Sequence, residues 1–169
     1  MLPEDHAGLA ALHAGRFAGR EAFAQRVRAA LVAAVAGDWP ALVLCDADFA
    51  AWPLHERALV DSLHAWSRAG RSFTIVARSF DTLLRQHARF VQWRRTWAHI
   101  VEARVCRSID AAGFPCVLWS PRWTMQLLDP VRSAGVQGAE PERVARVREL
   151  LDEVLQRSSP GFPASTLGL

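Results

Sequence analysis

The residues Ala41-Leu-Val-Leu-Cys45 and Phe73-Thr-Ile-Val-Ala77 form two short apolar runs that decide the fold. Such runs are typical of strands buried on both faces of a sheet. Between them, apolar residues from Leu59 to Trp66 recur at helical spacing. A strand, a helix and a second strand in this order predict a parallel pair joined by a right-handed crossover.

The same kinds of pattern predict the elements on either side of this unit. They are a helix over residues 20–36, a helical stretch over 81–99 that can break near Ala88, a strand over 100–106, a hairpin over 116–128, a Gly-containing loop over 135–138 and a helix from Pro141. We therefore expect an α/β fold with the order α-β-α-β-α-β-β-β-α. The predicted sheet is mixed and mostly parallel, with helices covering both of its faces.

The chain length predicts a single domain. At 169 residues, one hydrophobic core is expected, because cores divide only in longer chains. Residues 20–157 carry all the periodic patterns and form the predicted α/β domain. Residues 1–19 are rich in Ala and Gly and are expected to be a loose lead-in, whereas residues 158–169 lack periodicity and are expected to be a tail.

Composition excludes several kinds of chemistry. The chain carries 20 basic residues, all of them Arg, and has no Asn or Tyr. Without Lys there is no P-loop lysine, no Schiff-base nucleophile and no Ser-Lys dyad. No run approaches the roughly 20 apolar residues of a membrane-spanning helix, and acidic residues stand where a signal peptide would carry positive charge. We therefore expect a cytoplasmic protein without a membrane partner.

The order of elements over residues 20–157 resembles one half of the phospholipase D-like fold, with two β-α units, a later hairpin and a long closing helix. Active members of that superfamily use a His-x-Lys-x-x-x-x-Asp motif. This chain has no Lys, and no histidine follows His99, so the resemblance implies a single half without the catalytic motif. The residues Asp48-Phe49 and Trp52-Pro53-Leu54 are also similar to bacterial domains of unknown function.

Asp46 and Asp48 follow the first predicted strand, at the edge where open α/β sheets bind ligands. Their spacing resembles the Asp-x-Asp motif of haloacid dehalogenase-like phosphatases, and Ser79 resembles that family's second motif. The resemblance implies a Mg²⁺-dependent phosphohydrolase centred on the two carboxylates. However, Ala50 departs from the family pattern. The alternative is structural, with Asp48 capping a turn and Asp46 bonding backbone amides.

His87 and Arg94 share one face of the third helical stretch with several apolar side chains. A buried arginine needs a partner, and a carboxylate would suit its planar fork. The candidate partners are Asp46, Asp48 and Asp81. Three interpretations therefore remain open: a structural ion pair, an anion-binding pocket, and an arginine that reaches solvent because the helix breaks or the side chain snorkels.

The region from Arg85 to Arg107 is the most basic part of the chain. Residues 81–107 contain six arginines and two acidic residues, which gives a net charge of +4. The aromatic residues Phe90, Trp93 and Trp97 are interleaved with them. This composition is typical of a surface that binds nucleic acid or phosphate, with Arg89 and Arg95 among the candidate binding residues. Because Arg is the chain's only permanent cation, an ordinary solvated face is the alternative.

The leading functional hypothesis is a bacterial cytoplasmic domain that acts without catalysis, through binding or assembly, and without a cofactor. Seven Trp residues and an apolar tail favour a homo-oligomer, with the tail packing on a neighbour. The apolar tail residues are Phe162, Leu167 and Leu169. The two alternatives are binding of nucleic acid or a phosphorylated ligand through the Arg85–Arg107 region, and phosphohydrolase activity at Asp46 and Asp48.

Overall fold

A computed structural model describes residues 12–164, which form five α-helices and one eight-stranded sheet. In chain order the elements are β1 (Gly15–Phe17), α1 (Arg20–Ala36), β2 (Ala41–Cys45), α2 (Arg57–Trp66), β3 (Ser72–Ala77), α3 (Asp81–Gln86), α4 (Ala88–Thr96), β4 (Val101–Val105), β5 (Cys116–Trp119), β6 (Thr124–Asp129), β7 (Ala134–Gly138), α5 (Pro141–Gln156) and β8 (Ser159–Pro160). Each predicted helix and strand is present, and the third helical stretch breaks at His87.

The sheet is mixed, as the sequence predicts, with the strand order β1-β7-β6-β5-β2-β3-β4-β8. The parallel pairing of β2 with β3 is confirmed, and β4 continues it on the other side of β3. The expectation of a mostly parallel sheet is wrong, because all the other neighbours pair antiparallel. Two short hairpin connections, which can join only antiparallel strands, link β5 to β6 and β6 to β7. The other antiparallel pairs join strands that are distant in sequence, namely β2 with β5, β1 with β7 and β4 with β8.

Three strands lie where the sequence predicts none. β1 falls in the expected lead-in, β7 in the expected loop and β8 in the expected tail, so the fold extends beyond residues 20–157 on both sides. β1 and β8 are too short to show periodicity, and the β7 sequence, Ala-Gly-Val-Gln-Gly, has low strand propensity. Phe162 is buried in the larger core of its own chain, and Leu167 and Leu169 lie outside the described residues.

The sheet separates two hydrophobic cores, which confirms that helices cover both of its faces. In β2, Leu42 and Leu44 point into the larger core with helices α1 to α4, whereas Val43 and Cys45 point into the smaller one. The alternation follows from the two-residue period of a strand. Helix α5 closes the smaller core with Val147, Leu151 and Val154. No helix within residues 12–164 is both long and apolar enough to cross a membrane.

Candidate functional site

Asp46 and Asp48 shape the turn that follows β2. Asp46 Oδ2 accepts hydrogen bonds from the backbone N–H groups of Phe49 (2.8 Å) and Asp48 (3.4 Å), and Asp48 Oδ1 accepts one from Ala50 (3.0 Å). Phe49 adopts a positive φ of 61° at this turn. Within residues 12–164 no group of three or more His, Cys, Asp or Glu side chains is arranged to hold a metal ion. The geometry favours the structural role for both carboxylates.

The surroundings of Asp46 are poorly suited to a nucleophile. Burial raises the pKa of this carboxyl group, although the backbone N–H of Phe49 and the thiol of Cys116 oppose the shift. Burial also raises the pKa values of the Cys45 and Cys116 thiols, and the nearby Asp46 carboxylate adds to both shifts. Because thiolates are the reactive form of cysteine, these two thiols serve as small core residues.

His87 is buried where α3 meets α4, and it contributes to the same turn. Its Nε2 lies 2.9 Å from the carbonyl oxygen of Phe49, so Nε2 carries the proton and donates. Its Nδ1 has no hydrogen-bond partner within the described residues, and its ring stacks on that of His55 at 5.7 Å. Burial lowers the pKa of His87. Asp46 and His87 therefore do not hydrogen-bond each other; each hydrogen-bonds a backbone group of Phe49.

Arg94 is buried, with 7% of its surface exposed, although the helix breaks at His87. Its partner is not a predicted carboxylate but the carbonyl oxygen of Phe162, to which Nε donates at 3.1 Å. The guanidinium also lies over the Phe162 ring, 5.5 Å from the centroid, while Nη1 has no partner within residues 12–164. Burial lowers the pKa of Arg94. Arg94 has no ion-pair partner within the described chain, and its contacts with Phe162 attach the C-terminal segment.

In the Arg85–Arg107 region, exposed arginines are not accompanied by fully exposed Phe or Trp rings on which bases could stack. Arg85, Arg89 and Arg95 are exposed, and Arg89 donates to the carbonyl oxygen of His55. The interleaved aromatic residues face inward, because Phe90 and Trp93 are fully buried and the half-buried Trp97 donates to His64 Nδ1. Phe90 and Trp93 are therefore core residues, and their rings are not exposed for stacking on bases.

A cavity of about 710 Å³ opens where the parallel strands β3 and β4 end. We call it the arginine pocket, because its basic residues are Arg78 from the end of β3, Arg107 from the end of β4 and Arg157 from the end of α5. The other lining residues are Ser79, Phe80, Asp81, Leu84, Val105, Ser108, Ser159, Pro160, Gly161, Phe162 and Pro163. The carboxyl ends of strands are where open α/β sheets bind ligands.

The pocket arginines have no acidic partners within residues 12–164. Arg78 Nε donates to the carbonyl oxygen of Ile109 at 3.1 Å, and no carboxylate of the described chain lies within ion-pair distance of any of the three guanidinium groups. Asp81 is the single acidic residue of the lining. Among the described residues, the pocket therefore carries three guanidinium groups without an ion-pair partner and one carboxyl group.

Sequence reasoning missed Arg78 and Arg157 and named Arg107 only as the end of a basic segment. One signal was present: Arg-Ser follows both parallel strands, as Arg78-Ser79 after β3 and Arg107-Ser108 after β4. Neighbouring parallel strands end at the same edge, so two such pairs must lie close together. The third arginine had no such signal, because the end of α5 reaches this edge only through the tertiary fold.

Comparison with known proteins finds no matching family model and no matching curated protein. Among solved structures the chain is similar to TrmBL2, an archaeal chromatin protein described as showing a novel mode of DNA binding. The TM-score is 0.63 at 14% sequence identity, over 88% of this chain and 54% of that one. The chain thus matches about half the length of TrmBL2, and at this identity the likeness shows the fold alone.

Proposed function

We propose that this chain is a non-catalytic binding module whose ligand is a small phosphorylated molecule held in the arginine pocket. The observation that carries the proposal is the cavity itself, with Arg78, Arg107 and Arg157 around its lining at the carboxyl ends of the parallel strands. Guanidinium groups match phosphate oxygens with two parallel hydrogen bonds. Since none of the three is ion-paired within residues 12–164, these guanidinium groups can pair with an anion.

The rest of the lining points to an organic phosphate. A volume of about 710 Å³ lies in the range of ordinary small-molecule sites, roughly 300–1,000 Å³, and greatly exceeds one phosphate group. Ser79 Oγ accepts the backbone N–H of Asp81 at 3.2 Å, so its hydroxyl proton can be donated to a ligand. Leu84 leaves 46% of its surface exposed beside the arginines and offers an apolar contact to the body of the ligand.

Replacing Arg107 with Ala is expected to weaken binding of pyrophosphate, used as a probe, by about tenfold or more. A charge-assisted hydrogen bond contributes roughly 1.5–3 kcal/mol, and the loss should diminish as salt screens the pocket. Isothermal titration calorimetry at low and high ionic strength measures both effects. Arg95→Ala is the matched control, because it removes the same charge from the exposed surface of α4. Equal losses in both variants, or no binding by the unaltered protein, would refute the proposal.

DNA binding is a second candidate function. It is supported by the fold likeness to TrmBL2, which is described as binding DNA, and by the exposed side chains of Arg85, Arg89 and Arg95. Lys and Arg contacts to phosphates dominate such binding and make it sensitive to salt.

Arg107→Ala and Arg95→Ala, the variants tested with pyrophosphate, also distinguish phosphate-ligand binding from DNA binding. For a short DNA duplex, we expect Arg95→Ala to weaken binding several-fold and Arg107→Ala to have the smaller effect, which reverses their order for pyrophosphate. Fluorescence anisotropy across a salt series measures this order. A duplex that binds equally well to all variants, or does not bind, excludes the arginines of α4 as a DNA-binding surface.

Three further hypotheses from the sequence remain proposals. A phospholipase D-like half-fold is proposed on element order alone, which includes two β-α units, the β5–β6 hairpin and the long closing helix α5. A homo-oligomer is supported by the exposure of Leu128 and Val131, at 60% and 95%. A phosphohydrolase has the weakest support, since Asp46 and Asp48 hold a turn.

A further inference from the structure

The C-terminal strap, which we define as residues 158–163, forms one wall of the arginine pocket. Five strap residues line the cavity together with Arg78 and Arg107, which follow β3 and β4. Arg157 precedes the strap directly and also lines the cavity. The pocket is therefore complete only when the strap lies against the edge of the sheet.

The strap is held to the sheet edge by a small number of polar contacts. β8 pairs with β4 over only two residues, and one of these is Pro160, which has no N–H to donate. Arg104 donates from Nε to Ser158 Oγ at 3.0 Å and from Nη2 to the Ser158 carbonyl oxygen at 2.8 Å. The Gly161 N–H donates to the Ala103 carbonyl oxygen at 3.1 Å. This attachment is much shorter than the pairing of the central strands.

Phe162, near the end of the strap, has a backbone conformation that is energetically unfavourable. Its φ is +46°, in the left-handed region that bulky side chains rarely adopt. Its ring packs on Phe80 at 5.0 Å and beneath the guanidinium of Arg94. That guanidinium keeps one buried nitrogen, Nη1, without a partner among the described residues, which is unfavourable for a buried cation. Strained and under-satisfied contacts place such a segment among the less stable parts of a fold.

We propose that ligand binding and strap docking are coupled, so that occupancy of the arginine pocket stabilises the docked strap. The inference rests on the proposed function. A ligand that contacts Arg78 or Arg107 together with Ser159 binds the docked arrangement more tightly than the undocked one. It then stabilises docking by mass action, and docking raises the ligand affinity by the same factor. Arg94 and Arg104 act as positioning residues that hold the strap.

Hydrogen exchange at the Gly161 amide tests the coupling. With pyrophosphate as the probe at about ten times its dissociation constant, exchange is expected to slow by up to about elevenfold, the limit for a ligand that binds only the docked form. The Arg71 amide, which is bonded across a turn to the Arg68 carbonyl oxygen before β3, should exchange at an unchanged rate. In Arg78→Ala the protection of Gly161 should disappear together with binding.

Arg104→Met supplies the reciprocal measurement, because Arg104 holds the strap but does not line the pocket. Exchange at Gly161 should accelerate and pyrophosphate affinity should fall several-fold. If pyrophosphate binds with the expected arginine dependence while Gly161 exchange stays constant, the coupling is refuted and the pocket stands. If pyrophosphate does not bind at all, both proposals fail. If the Arg104→Met protein does not fold, Gly161 exchange in the unaltered protein, measured with and without pyrophosphate, is sufficient to test the coupling.

Discussion

Replacing Trp93 with Ala is expected to lower the free energy of unfolding by about 3–5 kcal/mol, the range for truncating a large buried aromatic residue. The Trp93 side chain is fully buried, and its Nε1 donates to Ser67 Oγ at 3.0 Å. Its ring lies 4.7 Å from that of Phe73 and 5.3 Å from that of Phe90. Truncation leaves a cavity at the centre of this aromatic cluster. Urea unfolding followed by circular dichroism measures the loss.

Trp97→Ala is the matched control, since Trp97 ends the same helix but is only half-buried. We expect its effect on stability to be clearly smaller than that of Trp93→Ala. The comparison also decides the role of the aromatic residues in the basic segment. A Trp93→Ala protein that unfolds at the original urea concentration but loses affinity for single-stranded DNA would place the ring on the surface, contrary to the structure.

The central part of the fold could be predicted from the sequence because its signals are local. Runs such as Ala41–Cys45 are buried on both faces and contain only apolar residues, so they identify strands without knowledge of their neighbours. Their alternation with helical patterns then fixes the parallel pair β2–β3. For Arg94 the helical period of its neighbours placed the side chain on the apolar face, but a helix break or a side chain that reaches solvent remained open alternatives.

The partners of these residues were not predictable, because they depend on contacts between distant segments. Arg94 bonds the backbone carbonyl of Phe162, which lies 68 positions further along the chain, and no side-chain pattern marks a carbonyl as a partner. The arginine pocket was unpredictable for the same reason, because Arg157 comes close to Arg78 and Arg107 only when α5 and the strap pack on the sheet. Sequence patterns marked Arg107 only as part of a basic segment and gave no indication that it meets Arg78 and Arg157.

Replacing Gly135 with Ala is expected to lower the free energy of unfolding by about 3 kcal/mol, at the upper end of the range for overpacked sites. A Cβ atom at Gly135 would clash with the Gln126 carbonyl oxygen and lie 2.8 Å from the Phe17 ring. The first contact is with the backbone of β6, which is held by pairing on both sides, so relief requires the strands to separate. Thermal and urea unfolding measure the loss.

Gly113→Ala is the matched control, because no atom lies within 4 Å of its added Cβ and its φ is not positive. Its effect should stay within about 0.5 kcal/mol, as for ordinary surface substitutions. β7 lies at the opposite end of the sheet from β4 and the strap. The folded Gly135→Ala protein should therefore bind pyrophosphate with unchanged affinity while unfolding more easily, since the two properties depend on different edges of the sheet. A parallel loss of affinity under folding conditions would show that the pocket depends on the packing of β1, β7 and β6.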